Sequence, residues 1–349
     1  MQIEAKHSAP IVAPSRWRAW TAAGFAVLLV AGLLFLTGRG WRTQSGLAAD
    51  PARIESIAVL PFRNVSGDAQ QEYFVDGMTD ELTTDLAQIA GLRVTSRTSA
   101  MQFRDTKKPI AEVAGSLDVE AIVSGSIMRS GDRVRITAQL IDARNDHHLW
   151  AKSYEKNSQD AMALQDELAR DIAEEVRVTL TPAERKRLSA GHTVSAHGYD
   201  AYLRGRYFWN RRTEPELHKA KEYFEQAIAS DPAYAPAHSG LADTYFYLSY
   251  RWGHLDPRES MPVAKAAALK AIASDDSSAE AHTSLAIVKM TYDWDFPEAE
   301  REFKRATSLN PNYATAHHMY SILLGILGRP EESLAEIRKA VEVDPLSMP

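Results

Sequence analysis

The chain has 349 residues, which is enough for two folded units that each bury a core of their own. It contains no cysteine, so disulfides, thiolate metal sites and cysteine nucleophiles are excluded. Residues 1–50 hold five of the 40 basic and two of the 46 acidic residues, which leaves 35 basic against 44 acidic residues in the rest. This acidic balance argues against nucleic acid as a partner.

An uncharged apolar stretch lies near the start of the chain. Residues 20–38 read WTAAGFAVLLVAGLLFLTG, and a helix of about 20 residues spans the roughly 30 Å hydrocarbon core of a bilayer. A cleaved signal peptide is the alternative, because residues 45–49 are mostly small, but basic residues directly follow the apolar run. We therefore expect a cytosolic tail over 1–18, a transmembrane helix over 19–38, and a single-pass bacterial inner-membrane protein whose soluble part is periplasmic.

Strand and helix patterns alternate over the next part of the chain. The apolar run SIAVLPF predicts a buried strand, and residues 70–90 predict a helix that ends near Gly91. Residues 133–142, RVRITAQLID, alternate with period two and predict one strand of a hairpin. A last helix is expected from about Asp160. The residues predicted to face the core are Phe74, Met78, Leu82, Leu86, Ile89, Val134, Ile136, Ala138, Leu140, Leu164, Leu168, Ile172 and Val176.

These patterns predict an α+β domain over residues 53–190 rather than a doubly wound nucleotide-binding sheet. Thr181, Pro182 and Glu184 form a capping-box pattern near its end. The carboxylates of the first helix, at Asp76, Asp80, Glu81 and Asp85, are most simply a solvated face.

A family resemblance rests on two long runs, SIAVLPFRNVSGDAQQEYFVDGMTDELTTDLAQIAGLRVTSRTSAMQFRD and VSGSIMRSGDRVRITAQLIDARNDHHLWAKSYEK. They resemble the TolB-like amino-terminal domain of bacterial envelope and signalling proteins. That family commonly lies between a membrane segment and helical repeats, in CadC-like winged-helix regulators and in class III adenylate or guanylate cyclases. The resemblance implies an accessory or sensory module and does not imply catalysis.

The remaining chain, residues 198–347, has an internal repeat that resembles the tetratricopeptide repeat, abbreviated TPR. Small residues recur at Ala220, Ala264, Ala299 and Ser333, and larger ones at Phe224, Phe303 and Ile337. We expect an α-helical solenoid of about four repeats, over residues 201–234, 235–278, 279–313 and 314–347. No polar capping helix follows Pro345, so we expect the last repeat to expose an apolar face. Either the chain is a truncated or split gene product, or another chain covers that face.

A stack of helix pairs has a concave groove that suits a peptide or a partner helix. The candidate groove residues are Tyr202, Arg206, Tyr245, Tyr247 and Tyr250, although for any single one of them packing between helices is the favoured interpretation. His238, His282 and His317 hold the same position in successive repeats and are interpreted as packing residues rather than metal ligands. We find no catalytic constellation and expect no catalytic, cofactor-binding or metal site.

The sequence therefore predicts a non-catalytic, membrane-anchored scaffold protein of the bacterial envelope, which binds proteins or peptides through its repeats. The alternative is the sensory or regulatory portion of a signalling protein, an adenylate or guanylate cyclase or a CadC-like transcriptional regulator. Its output domain would then be missing or encoded separately and act in trans. A homo-oligomer is also compatible with the sequence.

Overall fold

The computed structural model describes residues 54–176 and 194–347, apart from residues 252 and 253, together with residues 178, 180–182, 184 and 185. The chain divides into two compact units, Met1–Ala52 and Arg53–Pro349. The first unit lies outside the described residues, and the helices and strands of the described ranges belong to the second unit.

A mixed sheet forms the first part of this unit. Its strands are β1 (Ser56–Val59), β2 (Arg63–Asn64), β3 (Arg93–Val94), β4 (Ala121–Ser130), β5 (Arg133–Asp142) and β6 (His147–Asn157). The strand order is β3-β1-β4-β5-β6, and β2 also pairs with β4. The β4–β5 and β5–β6 pairs are antiparallel, as the alternating sequence predicts, but β1 pairs in parallel with β3 and β4. The parallel pairing was not predicted, because it depends on contacts between distant strands.

Helices cover both faces of the sheet. They are α1 (Glu72–Ala87), α2 (Arg97–Ala100), α3 (Ile110–Leu117) and α4 (Ala161–Glu175). The core between α1, α4 and the sheet contains the predicted inward residues, each at most 2 % exposed. A smaller core, with Val113, Leu117 and Ile122, lies beneath α3 on the other face. The prediction for Gly91 was wrong, since α1 ends at Ala87 and Gln88 is its right-handed C-cap residue.

The capping box near residue 181 is confirmed by its hydrogen bonds. The backbone N–H of Thr181 donates to Oε2 of Glu184 at 2.7 Å, and the N–H of Glu184 donates to Oγ1 of Thr181 at 3.2 Å. The other oxygen of Glu184 accepts from the backbone N–H of Ala90 at 2.9 Å, which attaches this turn to the end of α1.

Antiparallel helices make up the rest of the unit. They are α5 (Ala196–Arg211), α6 (Glu214–Ser230), α7 (Ala235–Phe246), α8 (Pro257–Ser274), α9 (Ala279–Val288), α10 (Phe296–Leu309), α11 (Ala314–Ile326) and α12 (Pro330–Val343). Two π-helical segments, Tyr247–Arg251 and Lys289–Asp293, extend α7 and α9. The predicted small residues Ala220, Ala264 and Ala299 are fully buried between helices. The division into four repeats at the predicted boundaries stays a prediction.

Close packing inside the array depends on two glycines around one ring. A Cβ on Gly205 would lie 2.6 Å from the ring of Phe224, and one on Gly240 would lie 2.5 Å from it. Real Cβ contacts are essentially never this short, so both positions require glycine to admit the ring. On the outer side of the last helix pair, Ile326 and Val341 are 56 % and 55 % exposed, as expected for the last repeat.

One part of the expected fold class was wrong. Among the helices of the described ranges, none has the length and apolar character needed to cross a bilayer. The longest of them, α8, has 18 residues but carries four charged side chains, because it packs one face in the array and exposes the other. This finding contradicts the transmembrane fold class and the inner-membrane, periplasmic localisation. The segment 19–38 itself lies outside the described residues.

Candidate functional site

The site is built around the acidic side of α1, which the sequence pattern assigned to solvent. Residues Glu72, Asp76 and Asp80 are spaced by four, so they share one helix face. Asp76 is 7 % exposed and Asp80 is 3 % exposed, so this face is buried. The solvated interpretation was wrong, because the helical array covers α1 on the side opposite the sheet.

Arginines compensate the buried charge of this face. Arg104 forms ion pairs with both Glu72 and Asp76. Arg97 lies 3.9 Å from Asp76 and 3.8 Å from Asp80, measured between nitrogen and oxygen. These two arginines come from the sheet domain itself, from α2 and the turn that follows it.

Helix α5 of the array supplies the remaining partners. Arg206 donates from Nη2 to Oδ2 of Asp80 at 2.8 Å, and Asn210 donates to the same oxygen at 3.2 Å. Tyr202 donates from Oη to Oε1 of Glu81 at 2.6 Å. These contacts bring residues more than 120 positions apart into one polar junction between α1 and α5.

The far end of the array meets the sheet domain at a second junction. Asn312, in the turn between α10 and α11, donates from Nδ2 to the carbonyl oxygens of Ala87 and Leu92, both at 2.8 Å. Its Oδ1 accepts from the N–H of Val94 at 3.2 Å. Asp344 accepts hydrogen bonds from the hydroxyls of Ser96 and Ser99. The array is therefore attached to the sheet domain at both ends and curves around α1.

A cavity of about 220 Å³ remains between the concave side of the array and α1. Among the described residues, eight carboxylates and three arginines line it, and no lysine does. The acidic residues are Asp80, Glu81, Asp85, Asp166, Asp243, Asp275, Glu280 and Asp344, and the basic ones are Arg97, Arg206 and Arg212. Aromatic side chains, among them Tyr234 and Tyr313, complete the wall. The site is thus an acidic, partly aromatic cavity at the junction of the two folds.

The pKa values of neighbouring carboxyls in the cavity are shifted in opposite directions. Burial favours a higher pKa for Asp80, but the charges of Arg206 and Arg97 outweigh burial and hold its pKa below the ordinary value. Burial raises the pKa of Glu81 to about 8, even though Arg206 opposes this shift. Burial likewise raises the pKa of Asp243 to about 6, against the hydrogen bond from Ser284. The cavity therefore combines a stabilised carboxylate with carboxyls that favour protonation.

The predicted groove residues occupy different places in the structure. Tyr202 and Arg206 line the cavity and contact α1 of the same chain. Tyr245 and Tyr247 are half-buried and pack against the apolar cores, with the Tyr247 ring edge-on to Trp209. Tyr250 lies in the π-helical segment, and its side chain falls outside the described part of the structure. Their role in binding a partner stays a prediction.

Residues that sequence reasoning missed include Asp243, Glu280, Asn312 and Asp344. Asp243 and Glu280 lie on leading helices of successive repeats, where a charged residue gives no local signal of burial. Asn312 and Asp344 lie in or next to Asn-Pro and Asp-Pro turns. Both turns lie near the predicted ends of repeats, and nothing in their sequence indicates contact with the sheet domain.

The recurring histidines share one structural contact. Nε2 of His238, His282 and His317 lies 2.9, 3.1 and 3.0 Å from the carbonyl oxygen six residues earlier. Each histidine thus fixes the turn that precedes its own helix. Within the described residues, no group of three or more His, Cys, Asp or Glu side chains is arranged to hold a metal ion.

Two family profiles match the chain. Residues 53–171 match the second domain of HilA/YgeH-like transcriptional regulators, and residues 314–345 match the tetratricopeptide repeat. The expected tetratricopeptide character is therefore confirmed for the last helix pair. The TolB-like assignment is not confirmed, because the matching regulator profile carries a different description.

Known proteins resemble parts of the chain. A protein of Rhizobium meliloti (strain 1021) described as putative adenylate cyclase 3 is 35% identical over 253 residues, covering 70% of this chain and 43% of its own length. The chain thus spans less than half of that relative. A tetratricopeptide protein of Thermus thermophilus, TTC0263, aligns over 54% of this chain and 93% of its own, with 20% identity and a TM-score of 0.38. The lipoprotein GNA1162 of Neisseria meningitidis aligns over 36% and 99%, with 19% identity and a TM-score of 0.27. At such TM-scores the two structures do not establish a shared fold.

Proposed function

We propose that the chain is a non-catalytic interaction scaffold that serves as a regulatory part of a bacterial signalling protein. The observation that carries this proposal is the attachment of the repeat array to the sheet domain at both ends, which makes the sheet domain and the repeats one body. The tetratricopeptide match supports protein-interaction repeats in that body, and the regulator match supports a signalling role for the sheet domain.

Partner proteins have a suitable surface on α5 and α6, where half-buried rings form what we call the aromatic patch: Tyr207, Phe208 and Tyr223. The rings of Phe208 and Tyr223 stack at 5.4 Å between centroids, and Tyr207 meets Phe208 edge-on at 5.4 Å. Exposed cations flank the rings, with Arg211 4.5 Å from the centroid of Tyr207 and Lys219 5.1 Å from that of Phe208. Tyrosine and arginine are among the residue types that dominate binding energy in protein interfaces.

A second candidate function names the kind of signalling protein more specifically. The relative described as a putative adenylate cyclase favours the regulatory portion of an adenylate or guanylate cyclase, and the regulator profile favours that of a transcriptional regulator. Under either candidate the output activity belongs to another domain or another chain. This chain then contributes recognition.

An enzymatic assay tests the non-catalytic part of the proposal. The purified full chain is incubated with ATP or GTP and divalent metal, and cyclic nucleotide is measured. We expect no product above the background of a heat-denatured sample. Cyclic nucleotide that forms in proportion to the concentration of the chain would contradict the proposal.

A capture experiment tests the partner surface. The tagged full chain is cross-linked in its native cells, and the recovered proteins are compared with those recovered by a double variant of the aromatic patch, Phe208→Ala with Tyr223→Ala. We expect the variant to fold, shown by an unchanged circular dichroism spectrum, and to lose specific partners. Glu331→Gln, at an exposed position of α12, is the matched control. Identical recovery by wild type and double variant would contradict the assignment of this surface.

A further inference from the structure

Two carboxyls of the cavity, Asp243 and Glu280, are held by serine hydroxyls instead of a cation. Asp243 accepts a 2.6 Å hydrogen bond from Ser284, and Glu280 accepts one of 3.3 Å from Ser278. In the described ranges neither carboxyl forms an ion pair, whereas Asp80 is held by Arg206 at 2.8 Å. The charges of Arg206 and Arg212 act on Asp243, and that of Arg206 acts on Glu280, but burial outweighs them, so the negative charge of both positions is incompletely compensated.

The two carboxyls face the cavity rather than the outer surface. Both side chains are partly accessible, since each belongs to a residue of intermediate exposure. Burial nevertheless raises the pKa of both groups. A carboxyl that lines an enclosed cavity is expected to be partly accessible and yet desolvated, and both residues line the cavity.

The surroundings favour an organic cation over other ligands. Tyr313 lines the same cavity as both carboxyls, and burial raises its pKa, as do the charges of Asp243 and Glu280. Tyr234 also lines the cavity, and aromatic walls bind alkylammonium groups well. The residues that the structure describes offer no three-ligand cluster for a metal ion. The excess of carboxylates over arginines disfavours an anionic ligand.

We propose that this cavity binds a small organic cation, whose ammonium group is held by Asp243 and Glu280 and whose carbon atoms contact Tyr234 and Tyr313. The volume of about 220 Å³ is below the usual range for drug-sized ligands, so the ligand is a small molecule. The proposed scaffold function requires no such ligand, and this site goes beyond it. The cavity lies between the two attached ends of the array. A bound cation would therefore stabilise the contacts that attach the array to the sheet domain.

Isothermal titration calorimetry with the full chain tests the site. The probes are choline chloride and n-butylammonium chloride, with magnesium chloride and glycerol as comparison solutes. We expect saturable one-to-one binding of at least one organic cation at millimolar concentration or below, and no saturable binding of the comparison solutes. Failure of both organic cations to bind would overturn the proposal, as would equal binding of magnesium.

Two isosteric variants assign the binding to the proposed groups. Asp243→Asn and Glu280→Gln keep the shape of the side chains and remove the charge, so each should weaken cation binding at least about tenfold. Glu331→Gln, which removes an exposed charge that does not line the cavity, should bind as the wild type does. Unaltered affinity in both cavity variants would refute the assignment. An unchanged circular dichroism spectrum of either variant shows that a loss of binding is not a loss of folding.

Discussion

Tyr202 of the repeat array donates a hydrogen bond of 2.6 Å to Glu81 of the sheet domain, although the two residues are 121 positions apart. Burial of Glu81 at this junction raises the pKa of its carboxyl to about 8, although the charge of Arg206 and the hydrogen bond from Tyr202 both lower it. The packing of the two folds therefore determines the protonation of a group between them. This relationship makes the junction measurable by its response to pH.

Glu81 should make stability fall as pH rises. Its folded pKa of about 8 lies above the ordinary value, so the folded state retains a proton that the unfolded chain has released. The stabilising contribution is fully present below about pH 4 and is lost as pH rises through about 8, with a slope of at most about 1.4 kcal/mol per unit. We expect Glu81→Gln to flatten the dependence of the unfolding free energy on pH between about 5.5 and 8, as measured by urea denaturation.

The comparison uses Glu331→Gln as the control, because that side chain is exposed and its removal should leave the slope unchanged. Parallel curves for the wild type and Glu81→Gln would show that Glu81 titrates alike in the folded and unfolded states.

Asn312→Ala should open the second junction. The side chain makes three hydrogen bonds to backbone groups of the sheet domain, and alanine would leave those groups buried and unpaired. We expect a loss of about 2–4 kcal/mol in the free energy of unfolding, measured in urea. Asn157→Ala, at the exposed end of β6, should change stability by less than about 0.5 kcal/mol. Equal effects of the two substitutions would contradict the role of Asn312.

Gly240→Ala should destabilise the array even though alanine favours helices. The new Cβ would lie 2.5 Å from the Phe224 ring, and such overpacking costs about 1–3 kcal/mol. Gly115→Ala in α3 is the matched control, because a Cβ there meets nothing within 4 Å. It should stabilise the protein by up to about 1 kcal/mol. Thermal unfolding should therefore shift in opposite directions for the two variants, and a shift of the same sign would disprove the packing argument.

Asp243→Asn should stabilise the protein in the absence of ligand. Burial raises the pKa of Asp243 to about 6, so above this pH the folded state holds a charge that it tolerates poorly. We expect a gain of about 1–3 kcal/mol at about pH 7.5 that disappears below about pH 4, where the carboxyl is neutral in both states. Differential scanning calorimetry at the two pH values measures the effect. A lower melting temperature of the variant at the higher pH would show that the charge of Asp243 is fully compensated by Arg206 and Arg212.

Local periodicity was sufficient to predict much of the sheet domain. Phe74, Met78 and Leu82 lie in the core because their spacing matches one face of a helix. This spacing can be recognised without knowing which elements pack on the other faces of the helix. The opposite face of α1 could not be predicted in the same way. Charged residues there indicate solvent by default, and only the fold brings Arg206 to Asp80. The cavity depends on this second layer of contacts, so sequence reasoning found Tyr202 and Arg206 but assigned them to a groove for another molecule.

The double attachment of the array has a mechanical consequence. A helical solenoid with one free end can extend and shorten like a spring, because each repeat contacts mainly its neighbours. In this chain Asn312 and Asp344 attach the far end of the array to the sheet domain, which α5 also contacts. The distance between the two ends of the array is therefore fixed. A force applied to α12 would then act directly on β3 and α1, and the array and the sheet domain would move together.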